Sequence, residues 1–309
     1  MALADVSRRL GSMLVDPHLR HRPVIQTDDR RLTLESGNLD ALRDWDKIAI
    51  FSSWSPQPMM SMSFSLYLQR LEEIGYRSLI VSTSQFDAPH NWPHGLPERT
   101  VVLRRPNVGY DFGSWASALH ELPWVADAPH VLLTNDSMVG PFMSLERVAA
   151  ASARSNADIF ALTESHDIAH HPQSFFLDFR GGILAETPWR RFFARVRPQD
   201  EKMDVVRAYE TEVGEWAVRH GYSWEPMLTS WRQHSGMENP TLNSYRHMLD
   251  YGIPFVKRNI LTDATFPSTS WNMEQSIEES FDEDVARWLP EGYLPHRQRM
   301  LGLHEQEVA

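Results

Sequence analysis

Arg105-Pro-Asn-Val-Gly-Tyr-Asp-Phe-Gly-Ser-Trp115 and, a little further on, Val131-Leu-Leu-Thr-Asn-Asp-Ser-Met-Val-Gly-Pro-Phe142 decide how this chain is read. Each sets a small polar or acidic cluster at the end of an element apolar enough to be buried. About one helix and one strand lie between the clusters. That spacing suits two loops on the carboxyl edge of an α/β sheet, where ligands bind.

Working outward, short apolar runs at 47–51, 78–81, 100–103 and 130–134 read as strands. Helices are expected over 62–73, where Leu66, Leu68, Leu71 and Ile74 make the apolar face and Gly75 the stop, and over 112–122. This β-α-β-β-α-β order predicts an α/β fold, a Rossmann-like mixed, mostly parallel sheet flanked by helices. Beyond it, 158–162 reads as a further strand and 173–179 as an added, antiparallel one. Helices follow over 188–196, 203–220 and 241–250, with a strand at 255–256. The expected organisation is a core domain over 45–265, an N-terminal arm over 1–44 and a C-terminal helical and loop extension over 266–309. In the arm, Val6, Leu10, Met13 and Leu14 form the apolar face of a short helix suited to packing.

Composition narrows the function. A formal charge of −11 argues against a nucleic-acid partner, whose phosphates call for a basic footprint. It leaves nucleotides open, because a divalent cation can offset local acidic residues. The absence of cysteine rules out disulfides, thiolate nucleophiles and Cys-ligated zinc, and fits a reducing cytoplasm. Neither a signal-peptide core nor a transmembrane-length apolar run is present, so a soluble protein without a membrane span is expected.

Several clusters carry chemistry. In Asn135-Asp136-Ser137 a carboxylate between an amide and a hydroxyl follows a buried strand. It suits either a hard cation such as Mg²⁺ or Mn²⁺ bridging a diphosphate, or an Asx-turn or helix cap. In Asn107-Val-Gly-Tyr-Asp-Phe-Gly113, Gly109 and Gly113 permit close backbone approach. Asp111 can cap the next helix, contact a ribose with Asn107, or do both. Neither G-x-G-x-x-G nor a P-loop occurs. His166, His170 and His171 crowd together with Glu164 and Asp167. Since adjacent strand residues point to opposite faces, His170-His171 reads as acceptor or phosphate contact in preference to a zinc pair. Glu210 is a general base only if its helix end reaches the cleft. His220, Lys257 and Arg258 are candidate diphosphate partners.

Taken together, these stretches resemble the rhamnan synthesis protein F family of bacterial polysaccharide assembly. The likeness rests on Asn107 to Trp115, on Leu133 to Ser137 with Gly140-Pro141, and on His171-Pro-Gln-Ser-Phe-Phe176. It extends to Tyr209-Glu210 ahead of Gly221-Tyr222, to Asn239-Pro240 and to Gly252-Ile-Pro-Phe-Val-Lys-Arg258, all in order. The resemblance implies a GT-A-like fold and transfer of a sugar, often L-rhamnose, from a nucleoside-diphosphate donor to a glycan acceptor. The reaction would be a direct displacement at the cytoplasmic face of the membrane, with any attachment peripheral. Asn135-Asp136-Ser137 would stand where such enzymes carry an acidic metal-binding motif, with Asp136 its one carboxylate and Asn135 and Ser137 contacting substrate. Asn107, Gly109 and Asp111 would hold the nucleotide. His171, Gln173, Ser174 and Glu210 would line the donor–acceptor junction, with Glu210 as base (Glu164 and Asp167 its substitutes), and Lys257 and Arg258 would clamp the leaving group. Two other readings are weighed: an inactive saccharide-binding scaffold, motivated by the incomplete acidic motif, and a metal-dependent phosphohydrolase, which lacks its dense carboxylate cluster.

Overall fold

A computed structural model of the protein describes residues 22–229, 239–262 and 267–290. Strand β1 (Thr33–Ser36) and β2 (Lys47–Ser53) lead to helix α1 (Met62–Glu73), β3 (Arg77–Ser82) and β4 (Val101–Arg104). Helix α2 (Tyr110–Glu121), β5 (His130–Asn135), β6 (Met138–Val139) and α3 (Glu146–Arg154) follow. Next come β7 (Ile159–Ser165), β8 (His171–Pro172), β9 (Phe176–Arg180), α4 (Thr187–Ala194) and α5 (Lys202–Val205). A π-helical turn, Val206–Glu210, joins α5 to α6 (Thr211–Arg219). The rest comprises β10 (Trp224–Leu228), α7 (Pro240–Asn243), α8 (Tyr245–Tyr251), β11 (Val256–Lys257), α9 (Arg258–Thr262) and α10 (Pro267–Phe281).

The main sheet runs β1-β4-β3-β2-β5-β9-β7-β10, with β4, β3, β2 and β5 mutually parallel. β9 lies antiparallel between β5 and β7, so the carboxyl ends of β5 and β7 still share one edge. The chain moves from β2 to β3 and β4 on one side, then returns to place β5 on β2's other side. The crevice between the ends of β2 and β5 is therefore the topological switch point of a Rossmann-like sheet.

Strand alternation assigns the two covering layers. Ile48 and Ile50 of β2 face one apolar cluster with Trp115 of α2, while Ala49 and Phe51 face another with Phe64 and Tyr67 of α1. On α1 the buried stripe is Phe64, Tyr67, Leu68 and Leu71, at helical spacing, and Ser61 caps the helix by accepting from the Phe64 amide. Leu66, expected on that face, packs instead with a third cluster built from α8 to α10.

Four further expectations are revised. The helix read over 203–220 is interrupted by the π-turn, which periodicity does not reveal. That over 241–250 breaks at Ser244, and the strand read over 173–179 begins only at Phe176. Part of the N-terminal arm, β1, pairs antiparallel with β4 and extends the sheet. The apolar face at Val6, Leu10, Met13 and Leu14 lies outside the described residues. Among the described residues no helix is long and apolar enough to cross a membrane.

Candidate functional site

The loop from β4 into α2 is built on a glycine contact. Gly109, at φ +80°, is the residue before the helix, and a Cβ on Gly113 would sit 2.4 Å from the Val108 carbonyl oxygen. Only glycines allow that approach, and it brings Tyr110 and Asp111 to the sheet edge. Asp111 belongs to the helix's first turn and makes no cap, contrary to one of its expected roles. Its carboxylate accepts from Asn135 Nδ2 at 3.0 Å and from the Ser52 hydroxyl. Burial holds the Asp111 carboxyl above its usual range. Lys202 and the Ser52 bond oppose that shift, and the carboxylates of Asp136 and Glu210 add to it.

Asn135, Asp136 and Ser137 do not act as one donor set. Asn135 Oδ1 accepts from the Ser137 amide at 3.1 Å, an Asx-turn, so the turn alternative applies to Asn135. The chain bends at Asp136 and Ser137, and the three side chains part. Asn135 and Ser137 line a polar cleft of about 450 Å³ with Asp111, Ser174, Glu210 and Lys257. Asp136 lines a neighbouring, more apolar cavity of about 560 Å³ with Trp54, Met60, Tyr67, Arg258 and Trp288. Its Oδ2 accepts from the Trp54 amide at 3.2 Å, and its Oδ1 faces the Arg258 guanidinium at 3.5 Å. A cation held by Asp136 would have to displace that guanidinium, while Asn135 already spends its oxygen on the turn. The donor set therefore does not fit a resident divalent ion.

β11 pairs antiparallel with β6, Lys257 opposite Met138, and the Arg258 amide donates to Ser137 O at 3.0 Å. The basic pair is thus fixed beside the Asn135–Ser137 turn and straddles the partition. Lys257 lines the polar cleft and Arg258 the apolar cavity. Burial, with the like charge of Lys202, pushes the Lys257 ammonium down to about 8, against the pull of Glu210 and Asp111.

Glu210 closes the π-turn. Buried Tyr209 points into the core, where its hydroxyl accepts from the Arg197 amide at 2.7 Å, while Glu210 lines the cleft. Glu210 Oε1 accepts from the Ser174 amide at 2.8 Å, and Oε2 has no donor among the described residues. Gln173 lines the same cleft, but its amide is already engaged. Oε1 accepts from Thr163 at 2.8 Å, and Nε2 donates to Asn239 Oδ1 at 3.0 Å.

Three expected residues stand apart. His171 is buried in β8 with Nδ1 donating to the Ala169 carbonyl at 2.7 Å, and it is not among the residues lining the cleft. Asn107 and Gly109 also lie off the cleft wall, Gly109 serving the helix start. Two polar lining residues are not marked as such by the sequence. Lys202 stands in α5 within an unremarkable charged stretch, whereas Tyr110, at φ +52°, lies within the Asn107–Gly113 motif.

A Rossmann-like sheet with a charged cleft at its switch point, divided by a basic pair from an aromatic cavity, defines a class of α/β ligand-binding proteins. The family model for rhamnan synthesis protein F matches residues 97–287, more than half of the chain, and the protein belongs to that family. Membership points to rhamnan and polysaccharide synthesis. The chain is similar to the "Virulence protein VirA" of Vibrio anguillarum, at 26% identity over 195 residues, covering 53% of this chain and 62% of that protein. It is also similar to the "Uncharacterized protein y4gN" of Sinorhizobium fredii, at 22% identity over 211 residues, covering 67% and 55%. The chain thus spans about three fifths of the length of these relatives.

Proposed function

We propose that the protein is a glycosyltransferase. It would move L-rhamnose or another deoxyhexose or hexose from a nucleoside-diphosphate donor to a growing cell-surface polysaccharide or lipid-linked glycan, working at the cytoplasmic face of the membrane. The observation that carries this reading is that Lys257 and Arg258, consecutive in the chain, line the two cavities on either side of the partition. A diphosphate lying across the partition meets both cations. The nucleobase then enters the aromatic side, near Trp54 and Trp288, and the sugar enters the polar cleft beside Glu210.

In this arrangement Glu210 accepts the proton of the acceptor hydroxyl as its oxygen attacks the anomeric carbon. The bond from that carbon to the diphosphate oxygen breaks, and the electron pair leaves on the nucleotide. Lys202, Lys257 and Arg258 meet the developing charge in the place a metal ion would otherwise take. Asp136 restrains Arg258 and takes no proton.

Thermal melting of the full chain with dTDP, UDP and GDP compounds, in Mg²⁺, in Mn²⁺ and in EDTA, tests this. A nucleotide at 100 times its Kd adds roughly 2.7 kcal/mol to the native state. A base-selective rise that survives EDTA and is lost in Lys257→Ala/Arg258→Ala is expected. Absence of any rise would favour the saccharide-binding scaffold.

A further inference from the structure

Strand β7 turns back into β8 through a short hairpin, with Glu164 opposite Pro172 and Ser165 opposite His171. Thr163 points toward Gln173, so Glu164, the next residue along, points to the other face of the strand. There the two ends of the hairpin loop bring His166 and His170 together over the Glu164 carboxylate. We propose that Glu164, His166 and His170 form a binding site for a zinc-type divalent transition metal, separate from the sugar-transfer cleft.

Three candidate ligands converge on one spot. The imidazoles of His166 and His170 lie stacked, with ring centroids 4.2 Å apart and planes 4° from one another, so one ring must turn out of the stack before both lone pairs can aim at one ion. His170 Nε2 is 2.8 Å from Glu164 Oε2, and His166 Nε2 is 3.8 Å from Oε1. Ligand atoms from all three residues lie within 4.8 Å of one another. A tetrahedral zinc ion, with bonds of about 2.0–2.1 Å, sets its ligand atoms roughly 3.4 Å apart. The two separations to the carboxylate bracket that value, and turning one exposed imidazole about its side-chain torsions would complete the shell.

His170 can donate to the carboxylate, whereas His166 at 3.8 Å is beyond hydrogen-bond reach of it. One dication shared by both nitrogens and the carboxylate would draw the three together. The chemistry of the set selects the ion. Two imidazoles and one carboxylate suit zinc and its neighbours, whereas Mg²⁺ and Ca²⁺ call for oxygen donors.

The surroundings hold the ligands in place and leave a path in. Glu164 is buried, while His166 and His170 remain open to solvent, which supplies a fourth ligand and a route of entry. His170 packs on Trp224, ring centroids 4.9 Å apart. Trp224 in turn lies against α6 at Gly214, where a Cβ would fall 3.1 Å from its Nε1. The hairpin leads directly into Gln173 and Ser174, so a bound metal would clamp the segment that forms one wall of the cleft.

The test is a zinc titration of the chelator-treated full chain, without nucleotide, against a competing chromophoric chelator, repeated with Co²⁺ for its tetrahedral absorption. One equivalent of Zn²⁺ and a tetrahedral Co²⁺ spectrum are expected. The double variant His166→Ala/His170→Ala also removes the His170 bond to buried Glu164 and its packing on Trp224, so its far-UV circular dichroism is matched to that of the metal-free wild type at the titration temperature. The variant should lose the Co²⁺ spectrum and bind zinc at least about 100-fold more weakly, the upper end of what losing a mere outer-shell partner costs. Glu164→Gln keeps the shape and should weaken binding as well. Undiminished affinity in the double variant would place any bound zinc on others of the chain's 14 histidines and overturn the proposal, as would the absence of binding in the wild type. Because no nucleotide is present, the result is independent of the glycosyltransferase reading.

Discussion

Lys257 brings an ammonium with an ordinary solution pKa near 10.4 into a cleft where it titrates at about 8. Two trends of opposite sign follow. The unfolded chain holds this proton more tightly, so between about pH 8 and 10.4 this group's contribution to stability rises with pH. A bound diphosphate favours the charged form, so nucleotide affinity falls over the same window, by up to about tenfold per unit. In Lys257→Arg the guanidinium stays charged and the affinity profile should be flat, as titrations of nucleotide at pH 7, 8 and 9 would show. Asp136 makes a second prediction whose sign discriminates between readings. Asp136→Asn keeps an acceptor for the Trp54 amide but releases Arg258. Nucleotide binding should therefore tighten, by up to about fivefold for a pair worth at most about 1 kcal/mol. If Asp136 held a metal for the diphosphate, the same variant would bind more weakly. The sequence drew attention to Asp111, Asn135, Ser137, Gln173, Ser174, Glu210 and Lys257, all of which the fold brings to one cleft. It did not show that Asp136 faces away from its two neighbours, because the bend at Asp136 and Ser137 that parts them is not written in the strand pattern.

Among the elements, the π-turn Val206–Glu210 shows most plainly what periodicity misses. One extra residue in a helical turn leaves the apolar pattern on either side intact, so the stretch reads as one continuous helix. Its effect is rotational. Each helical residue turns the chain by about 100°, so deleting Ala208 would turn α5, with Lys202, relative to Glu210, which runs directly into α6. Such a variant should retain its far-UV circular dichroism yet bind nucleotide more weakly, because Lys202 leaves the cleft. Glu210→Gln, with the backbone untouched, should lower kcat about 10²- to 10⁴-fold. A Glu210→Gln variant that still turned over at the wild-type rate would remove Glu210 from the role of base. The parallel strands were legible for the opposite reason. Buried on both faces, they are short uninterrupted apolar runs, and the alternation within them needed only the two helices to assign its sides.

At the scale of the whole molecule, the N-terminal stretch is part of the sheet. Glu35 of β1 accepts from the His90 amide at 2.9 Å, sits 2.9 Å from its Nδ1, and pairs with Arg104 of β4. Burial alone would raise the Glu35 carboxyl, but these donors bring it below its ordinary value, and burial of the His90 ring lowers its pKa as well. Both shifts have the same consequence. The unfolded chain binds more protons than the native one as pH falls from the ordinary histidine range into that of carboxylates, so stability declines with acidification. Urea melts from pH 7 to 4 should show that decline, and Glu35→Gln should start lower and fall less steeply below about pH 5. This triad is not legible in the sequence, because its members lie in separate segments of the chain and only β1–β4 pairing unites them. The same holds for Trp288, which reaches the aromatic cavity from the C-terminal extension.

On the proposed glycosyltransferase reading, the ion pair between Asp136 and Arg258 bears on the order in which substrates bind. One guanidinium would serve either the carboxylate or an incoming phosphate, so arrival of the donor would exchange one partner for the other and unlock the partition. An acceptor that needs the partition open would then come second, and the spent nucleotide would leave last. Steady-state kinetics should accordingly show the nucleotide product competing with the donor and not with the acceptor, and Asp136→Asn, with its latch already released, should relax that sequence toward random addition.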